Sequence, residues 1–496
     1  MNRNPVLRVQ AWQMNVTRLT RIGAAAAAAL TVALLFAAAA SAGTGVNVPC
    51  TGQAALVAAI NTANSSGGGS INLAAGCHYD LTAADNGENG LPVVTSRITV
   101  NGKGATIDGT ATVRVLEVDG PGGNLSLHDV TITGGSADVG GGIANMGGAV
   151  SLDHSQVTNN AAFVAGGGIA SATFDPSSVA SLTLNHSTVS DNQQTGGPAD
   201  NALGGGGILN NVGTLMLNQT QVNGNTAQGF VGGGIANGDY FNFSSSDSVL
   251  TLNNSQVNGN TAPNAGGGGI QNLLGSVSIN NSQVNSNTSL NGGGISSGNG
   301  NGGVPPGTAQ LRLNNSQVDG NTATAAPGEG PPIAAGGIAN GSDATLNNTQ
   351  VDNNTASHTS GGGIVNHGTM ALNNSEVNGN TAAGSGLVAS GGGIVNAEGP
   401  PGAVDTGILT LNNSRVNNNR AGGDGGGIAN GVPFPGPMPL VGGAVTLKNS
   451  QVTGNSAAHG GGIFNSGGTV TLSNSAVTGN NPDNCEPTNS IAGCTG

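Results

Sequence analysis

Apolar and polar residues alternate in short runs such as Leu215-Met216-Leu217 and Leu250-Thr251-Leu252. A period of two sends both Leu to one face of a strand and the residue between them to the other. These runs sit inside a longer phrase that recurs eleven times: a glycine run ending in Ile, a polar turn, the alternating run, then Ser or Thr, one residue, Val, two residues and Asn. The Ile runs from Ile143 and Ile169 to Ile463, the Val from Val157 and Val189 to Val477, and an Asn follows every one of those Val by three residues, from Asn160 to Asn480. Nine copies also place Asn two residues after the Ile, with Ser171 and Ser297 in the other two. The shortest Ile-to-Val step is 13 residues and the shortest Val-to-Ile step is 11. A unit of about 24 residues holds several short strands but no helix of ordinary length. The spacing predicts an all-β chain, a single-stranded parallel β-helix with one phrase per coil. Coils about 4.8 Å apart, about a dozen in number, make a rod on the order of 60 Å long.

Composition would otherwise mislead, because 90 of the 496 residues are Gly. Regular placement before each Ile instead implies turns that need positive φ or close stacking of backbone. Both Asn rows are read as structural, since Asn tolerates left-handed turns and its amide can bond to the Asn of the next coil. Residues 1–42 are expected to be a signal peptide: Arg18 and Arg21 precede an apolar stretch from Ala24 to Ala40, and Ala40-Ser41-Ala42 offers a cleavage site. Their removal takes four of the 11 basic residues and Trp12, leaving 7 basic against 24 acidic side chains, a formal charge of −17. That balance argues against nucleic acid or an anionic membrane as partner. A secreted or cell-surface protein is expected, with no membrane span after cleavage and acting as a monomer.

Four cysteines remain. A rod tens of ångströms long separates Cys50 and Cys77 from Cys485 and Cys494, and a disulfide needs Cα atoms within about 7 Å, so each end should carry its own bond. Ala54 to Ala63 reads as a short helix with Leu56 and Ile60 on one face, covering the first coil. The expected organisation is thus a signal peptide at 1–42, an N-terminal cap with a disulfide at 43–92, coils at 93–480 and a C-terminal cap with a disulfide at 481–496.

Ile98-Thr99-Val100-Asn101-Gly102-Lys103-Gly104-Ala105-Thr106-Ile107-Asp108-Gly109 and Leu125-Ser126-Leu127-His128-Asp129-Val130-Thr131-Ile132 resemble the opening coils of the pectate-lyase-like right-handed β-helix superfamily. Gly361 to Ile364 and Val257 to Asn260 are similar to the two hallmark motifs of chlamydial polymorphic membrane protein repeats, with Val standing where those repeats carry Phe. The resemblance covers about residues 93 to 480 and implies a right-handed coil. It also implies kinship with autotransporter adhesins, whose C-terminal barrel is not expected here because Gly496 follows shortly after the last coil.

Catalysis on sugars needs paired carboxyl groups, or a base beside a cation that neutralises a uronate. No Asp-Asp dipeptide occurs and the basic residues are scattered. The best local group is His128, Asp129, Asp153, His154, His186 and Asp191, in which stacking brings His154 beside His186; both stand where later coils carry Asn254, Asn281 and Asn315. The reading is therefore no catalytic residue, no metal and no cofactor. Gly422-Gly423-Asp424-Gly425 resembles one calcium-binding nonapeptide but lacks the tandem copies such sites use. Glu376 and Arg415 replace the Gln that precedes Val in seven other copies, and in adjacent coils they would pair.

Insertions mark the functional edge. Five coils lengthen the Ile-to-Val step to between 20 and 24 residues, so extra chain must leave from one corner. These loops carry Phe174, Tyr240, Phe241, Phe243 and Phe434. Either they form an exposed apolar binding edge or they fold back over the adjacent sheet. The sequence is read as a non-enzymatic binding, adhesive or structural rod whose partner is a polysaccharide or a cell-surface protein. The alternative is a polysaccharide lyase or glycoside hydrolase.

Overall fold

The computed structural model describes residues 45–173, 179–197, 202–229, 231–240, 248–298, 309–324, 334–384, 389–397, 407–432 and 442–495. The signal-peptide expectation at 1–42 lies outside the described residues. The chain forms a parallel β-helix, and one coil illustrates the rest. Strand Ile208–Asn211 leads to the alternating strand Gly213–Asn218, then to Gln221–Asn223 and Thr226–Ala227, before the chain returns to Ile235–Gly238 directly against its start. Register advances by one phrase: Ile208 pairs with Ile235, Leu215 with Leu250, Val222 with Val257 and Thr226 with Thr261, all parallel. Stacked coils thus build three walls: a 13-stranded sheet carrying the Ile, a 10-stranded sheet of short strands, and a large sheet in which the alternating and Val strands meet round a bend.

The bends explain the turn residues. At the first, His186, Gln219, Asn254, Asn281, Asn315 and Asn348 adopt φ between 48° and 50°. At the second the same left-handed region holds Asn159, Asp191, Gly224 and Gly259. Side chains with a short polar arm, and glycine, enter that region most easily. Between bends, Ile235, Leu250, Leu252 and Val257 are fully buried, as are their equivalents along the tube up to the last coil, where Val470 and Leu472 are partly exposed. Helix Gln53–Ser65 packs Leu56, Ala59, Ile60 and Ala63 against the first strands. Disulfides join Cys50 to Cys77 and Cys485 to Cys494, as the length of the rod requires.

Inside the second bend runs a file of buried amides. Asn160, Asn192, Asn225, Asn260, Asn287, Asn321, Asn354, Asn380, Asn419, Asn455 and Asn480 are linked by ten consecutive bonds, each Nδ2 donating to the next Oδ1 at 2.9–3.0 Å. Each amide is also tied to the backbone. Asn225 Oδ1 accepts the backbone N–H of Asn192 at 3.0 Å, and its Nδ2 donates to the Val189 carbonyl at 3.0 Å. Two donors and two lone pairs are then all used, so the group is buried without a desolvation penalty. The glycine run makes this possible: a Cβ on Gly207 would lie 2.7 Å from the Gly234 carbonyl oxygen and 3.0 Å from the Asn225 amide. Gly-Gly-Gly-Ile and Val-x-x-Asn are two halves of one contact.

Asn354→Ala, at mid-file, removes the acceptor of two Asn321 donors and the donor to the Val318 carbonyl, leaves Asn380 Oδ1 with only the backbone N–H of residue 354, and should destabilise the protein by about 3 kcal/mol. Asn348→Ala, on the exposed first bend, should cost about 1 kcal/mol or less. Unfolding in urea followed by circular dichroism checks the difference.

Candidate functional site

Of the loop residues singled out in the sequence, Phe174, Phe241, Phe243 and Phe434 lie outside the described residues. The described residues that flank all five insertions sit at one corner, between the Ile strand and the alternating strand. Of the two expectations for these loops, Tyr240 follows the second and lies against the adjacent sheet. It is only 4% exposed and packs with Val139, Val164, Ala170, Leu209 and Ala236 over the outer face of the Ile sheet. Its backbone N–H donates to Asn211 Oδ1 at 2.7 Å and its hydroxyl to the Asn237 carbonyl at 3.3 Å, and burial pushes the phenol pKa up. The reason is the residue after each Ile. Ala170, Leu209 and Ala236 point out of the tube, so that sheet needs apolar cover on both faces. A second cluster, with Ala339, Val365, Val395, Ala429 and Val432, covers it further along.

The first bend is instead open to solvent. There Asn315, Asn348, Asn374, Asn413 and Asn449 form one side of a shallow groove of about 500 Å³, with Gln317, Gln350, Glu376, Arg415 and Gln451 on the other and Ser or Thr at its floor. Neighbouring rungs hold one another: Gln283 donates to Gln317 at 3.3 Å, Gln317 to Gln350 at 3.0 Å, and Asn348 to Asn315 at 3.2 Å. Glu376 and Arg415 pair as the repeat implied, at 3.4 Å and largely exposed. Beside the bend, amides from Asn185 to Asn412 form another file, bonded at 2.8–3.0 Å. Here each coil donates back to the one before, opposite to the buried file.

Followed towards the N-terminus, the same bend carries the histidines. His154 and His186 stack with ring centroids 4.7 Å apart and planes 12° from parallel. Asp153 lies between three rings: His154 Nδ1 is 3.1 Å and His186 Nδ1 3.8 Å from its Oδ1, and His128 Nδ1 is 3.4 Å from its Oδ2. Slight burial opposes ionisation of Asp153, but the hydrogen bonds and charge of His154 and His128 outweigh it and hold the carboxyl below its ordinary pKa. Of the six residues grouped from sequence, these four come together. Asp191 lies on the second bend, and Asp129 occupies the first bend one coil before His154. A second group, His78 with Asp80 at 3.1 Å and Asp108 at 3.3 Å, had no signal in the repeat because it precedes the phrase.

Two carboxylates also meet across coils although no Asp-Asp dipeptide exists. Asp319 and Asp352 are register partners on adjacent strands. Burial, then the charges of Glu376 and Asp319, raise the Asp352 pKa to about 6, and its Oδ1 has no hydrogen-bond partner among the described residues. In the Gly422–Gly425 segment, Asp424 is buried and its Oδ1 is 2.9 Å from His459 Nδ1. That hydrogen bond, against slight desolvation, raises the His459 pKa.

No known protein family and no curated protein matches the sequence. Among solved structures, the chain is similar to bacteriophage CBA120 tailspike protein 3, with 11% identity over 87% of this chain and 59% of that one, at a TM-score of 0.29. A superposition that loose carries no argument, and the fold assignment rests on the strand registers above. No helix among the described residues is long and apolar enough to cross a membrane.

Asp352 yields a pH prediction. Its folded-state pKa, about 6, exceeds the ordinary 3.8. The native state therefore keeps a proton that the unfolded chain has released, and stability falls as pH rises from about 4 through 6. Asp352→Asn, which installs the residue that Asn285 and Asn378 carry in the same row, should melt higher than the parent at pH 7 and no differently below pH 4. Thermal melts at both pH values measure this.

Proposed function

We propose that this chain is an exported, non-enzymatic rod that binds a polysaccharide along the amide-lined groove of its first bend. The observation that carries the reading is the groove itself: five coils each present an Asn at one repeating spacing over about 20 Å, faced by Gln in three of them and by the Glu376–Arg415 pair in the other two. Carboxamides both donate and accept, and so match sugar hydroxyls that do the same. Each rung contributes little, and an extended ligand that spans several rungs gains by having its second and later contacts made intramolecularly. The likeness of the repeats to those of adhesin-type membrane proteins, the predicted export signal and the acidic charge fit a protein working outside the cell. The insertion corner is a second candidate edge, with a cell-surface protein as the partner it would suit.

One observation favours the enzymatic alternative. Asp319 and Asp352 stand in register, a strand spacing of about 4.8 Å apart, and one of them is held partly protonated near neutral pH. A raised and an ordinary carboxyl side by side are the pair that glycoside hydrolysis uses. Against it, the acid is already neighbour to a third carboxylate, Glu376.

A glycan array probed with the purified mature chain, each bound polysaccharide then assayed for new reducing or unsaturated ends, separates the readings. Binding without cleavage is expected. Gln317→Ala with Gln350→Ala should weaken it by about 0.7 kcal/mol each, about tenfold together, at unchanged melting temperature. Cleavage abolished by Asp352→Asn would establish the hydrolase instead. Binding to no glycan would overturn the polysaccharide reading in favour of a protein partner.

A further inference from the structure

The geometry points to a binding site for a zinc-like divalent transition-metal ion at the N-terminal end of the exposed bend, formed by Asp153 Oδ1, His154 Nδ1 and His186 Nδ1, with His128 holding the second carboxylate oxygen. This inference is independent of the polysaccharide reading.

Three observations converge. The three donor atoms lie within 4.8 Å of one another, and the two measured approaches to Asp153 Oδ1 are 3.1 and 3.8 Å. Ligands about 2.1 Å from a shared tetrahedral ion are about 3.4 Å apart, so the donors already bracket the required edge. The set is one that a bare hydrogen-bond network serves poorly. Asp153 Oδ1 is within hydrogen-bond reach of His154, whereas His186 faces the same oxygen from 3.8 Å, too far for a bond. A cation between the three satisfies both rings at once.

Preorganisation is the second observation. His154 and His186 occupy the left-handed bend, with φ of 50° and 48°, and their backbone N–H groups donate to Asn185 O at 3.1 Å and Asn218 O at 3.0 Å. The coil stacking that fixes this backbone also holds the rings parallel, one strand spacing apart. His128 approaches Oδ2 at 3.4 Å, the position of an outer partner that orients a ligating carboxylate.

The third observation is the departure from the repeat. The row containing His128 and Asp153 is the outer amide file, filled by Asn72 and Asn101 before them and by Asn185 and Asn218 after. The row containing His154 and His186 continues through Gln219 into Asn254 and Asn281. Four adjacent positions in two rows thus exchange amide-type residues for imidazole and carboxylate. Two nitrogen donors and one oxygen suit zinc, copper or nickel, and exclude a calcium or magnesium preference. The group at His78, Asp80 and Asp108 has a single nitrogen donor and makes the poorer site.

The repeat also supplies the test variants, because Asn is already the resident of both rows. Calorimetric titration of the chelator-treated mature chain with Zn²⁺ should show one micromolar site. His154→Asn with His186→Asn should weaken it by more than about 100-fold, and His128→Asn by about 10- to 100-fold, the loss expected of an outer partner. Melting curves without metal establish that the variants fold. On the parent protein alone, Cu²⁺ should give an electron paramagnetic resonance spectrum with coupling from two imidazole nitrogens, which keeps the test decisive if a variant misfolds. No Zn²⁺ heat at millimolar ion, affinity unchanged in the double variant, or a copper spectrum with one nitrogen would overturn the assignment.

Discussion

From Asn160 onward, each coil of this protein hangs on an amide that it shares with the next. The buried file from Asn160 to Asn480 is a nearest-neighbour device: each side chain is satisfied only if the coil before and the coil after stand at the same height. That requirement fixes register more strictly than the apolar interior does. Ile and Val of equal shape would tolerate sliding, whereas a displaced amide loses up to four hydrogen bonds in a place water cannot reach. It also dictates the glycine before each Ile, since a methyl group there would strike the amide or the next coil's carbonyl. Low aromatic content follows in turn. In the repeating coils a cross-section set by backbone and amides is filled mainly by Ile, Leu and Val; of the two tyrosines, Tyr79 is buried in the core near the N-terminal cap, before the repeats begin, and Tyr240 lies on the outer face of the Ile wall.

Most of this was legible in the sequence, because a solenoid turns sequence period into spatial stacking. The Ile and Val rows, the Asn file, the Glu376–Arg415 pair and the end disulfides all follow from spacing. The juxtaposition of His154 with His186 does too. What was not legible depends on direction and on neighbours outside the repeat's own alignment. For Tyr240 the spacing left an exposed edge and a fold over the adjacent sheet both open; the residue after each Ile, apolar in nine of the eleven phrases, was the signal that this wall is covered. Asp319 and Asp352 stand 33 positions apart in sequence and share a row, so a search for adjacent carboxylates along the chain could not find them. That Asp153 gathers His128 as well as His154 requires knowing that two different rows meet across the bend.

One edge of the rod is thereby divided in function-bearing chemistry. Its N-terminal stretch concentrates imidazole and carboxylate, and its C-terminal stretch presents uncharged amides interrupted by a single exposed ion pair. The amide file beside this edge and the buried file at the second bend point their donors in opposite directions along the axis, so their dipoles oppose rather than accumulate. The edge therefore offers a ligand local hydrogen bonding without a strong field along its length, which suits a neutral polar polymer better than a charged one.

The identical rungs of the groove have a consequence for how anything long would sit on them. A ligand whose own repeat matches the rise per coil finds an equivalent placement one coil further along, and another beyond that, so bound states multiply with the number of rungs it does not fill. This degeneracy favours association through entropy, lets an occupant shift lengthwise by exchanging one rung at a time, and denies it a unique address. Only where the row changes identity, at Glu376 and Arg415 and at the histidines, does the track carry a milestone.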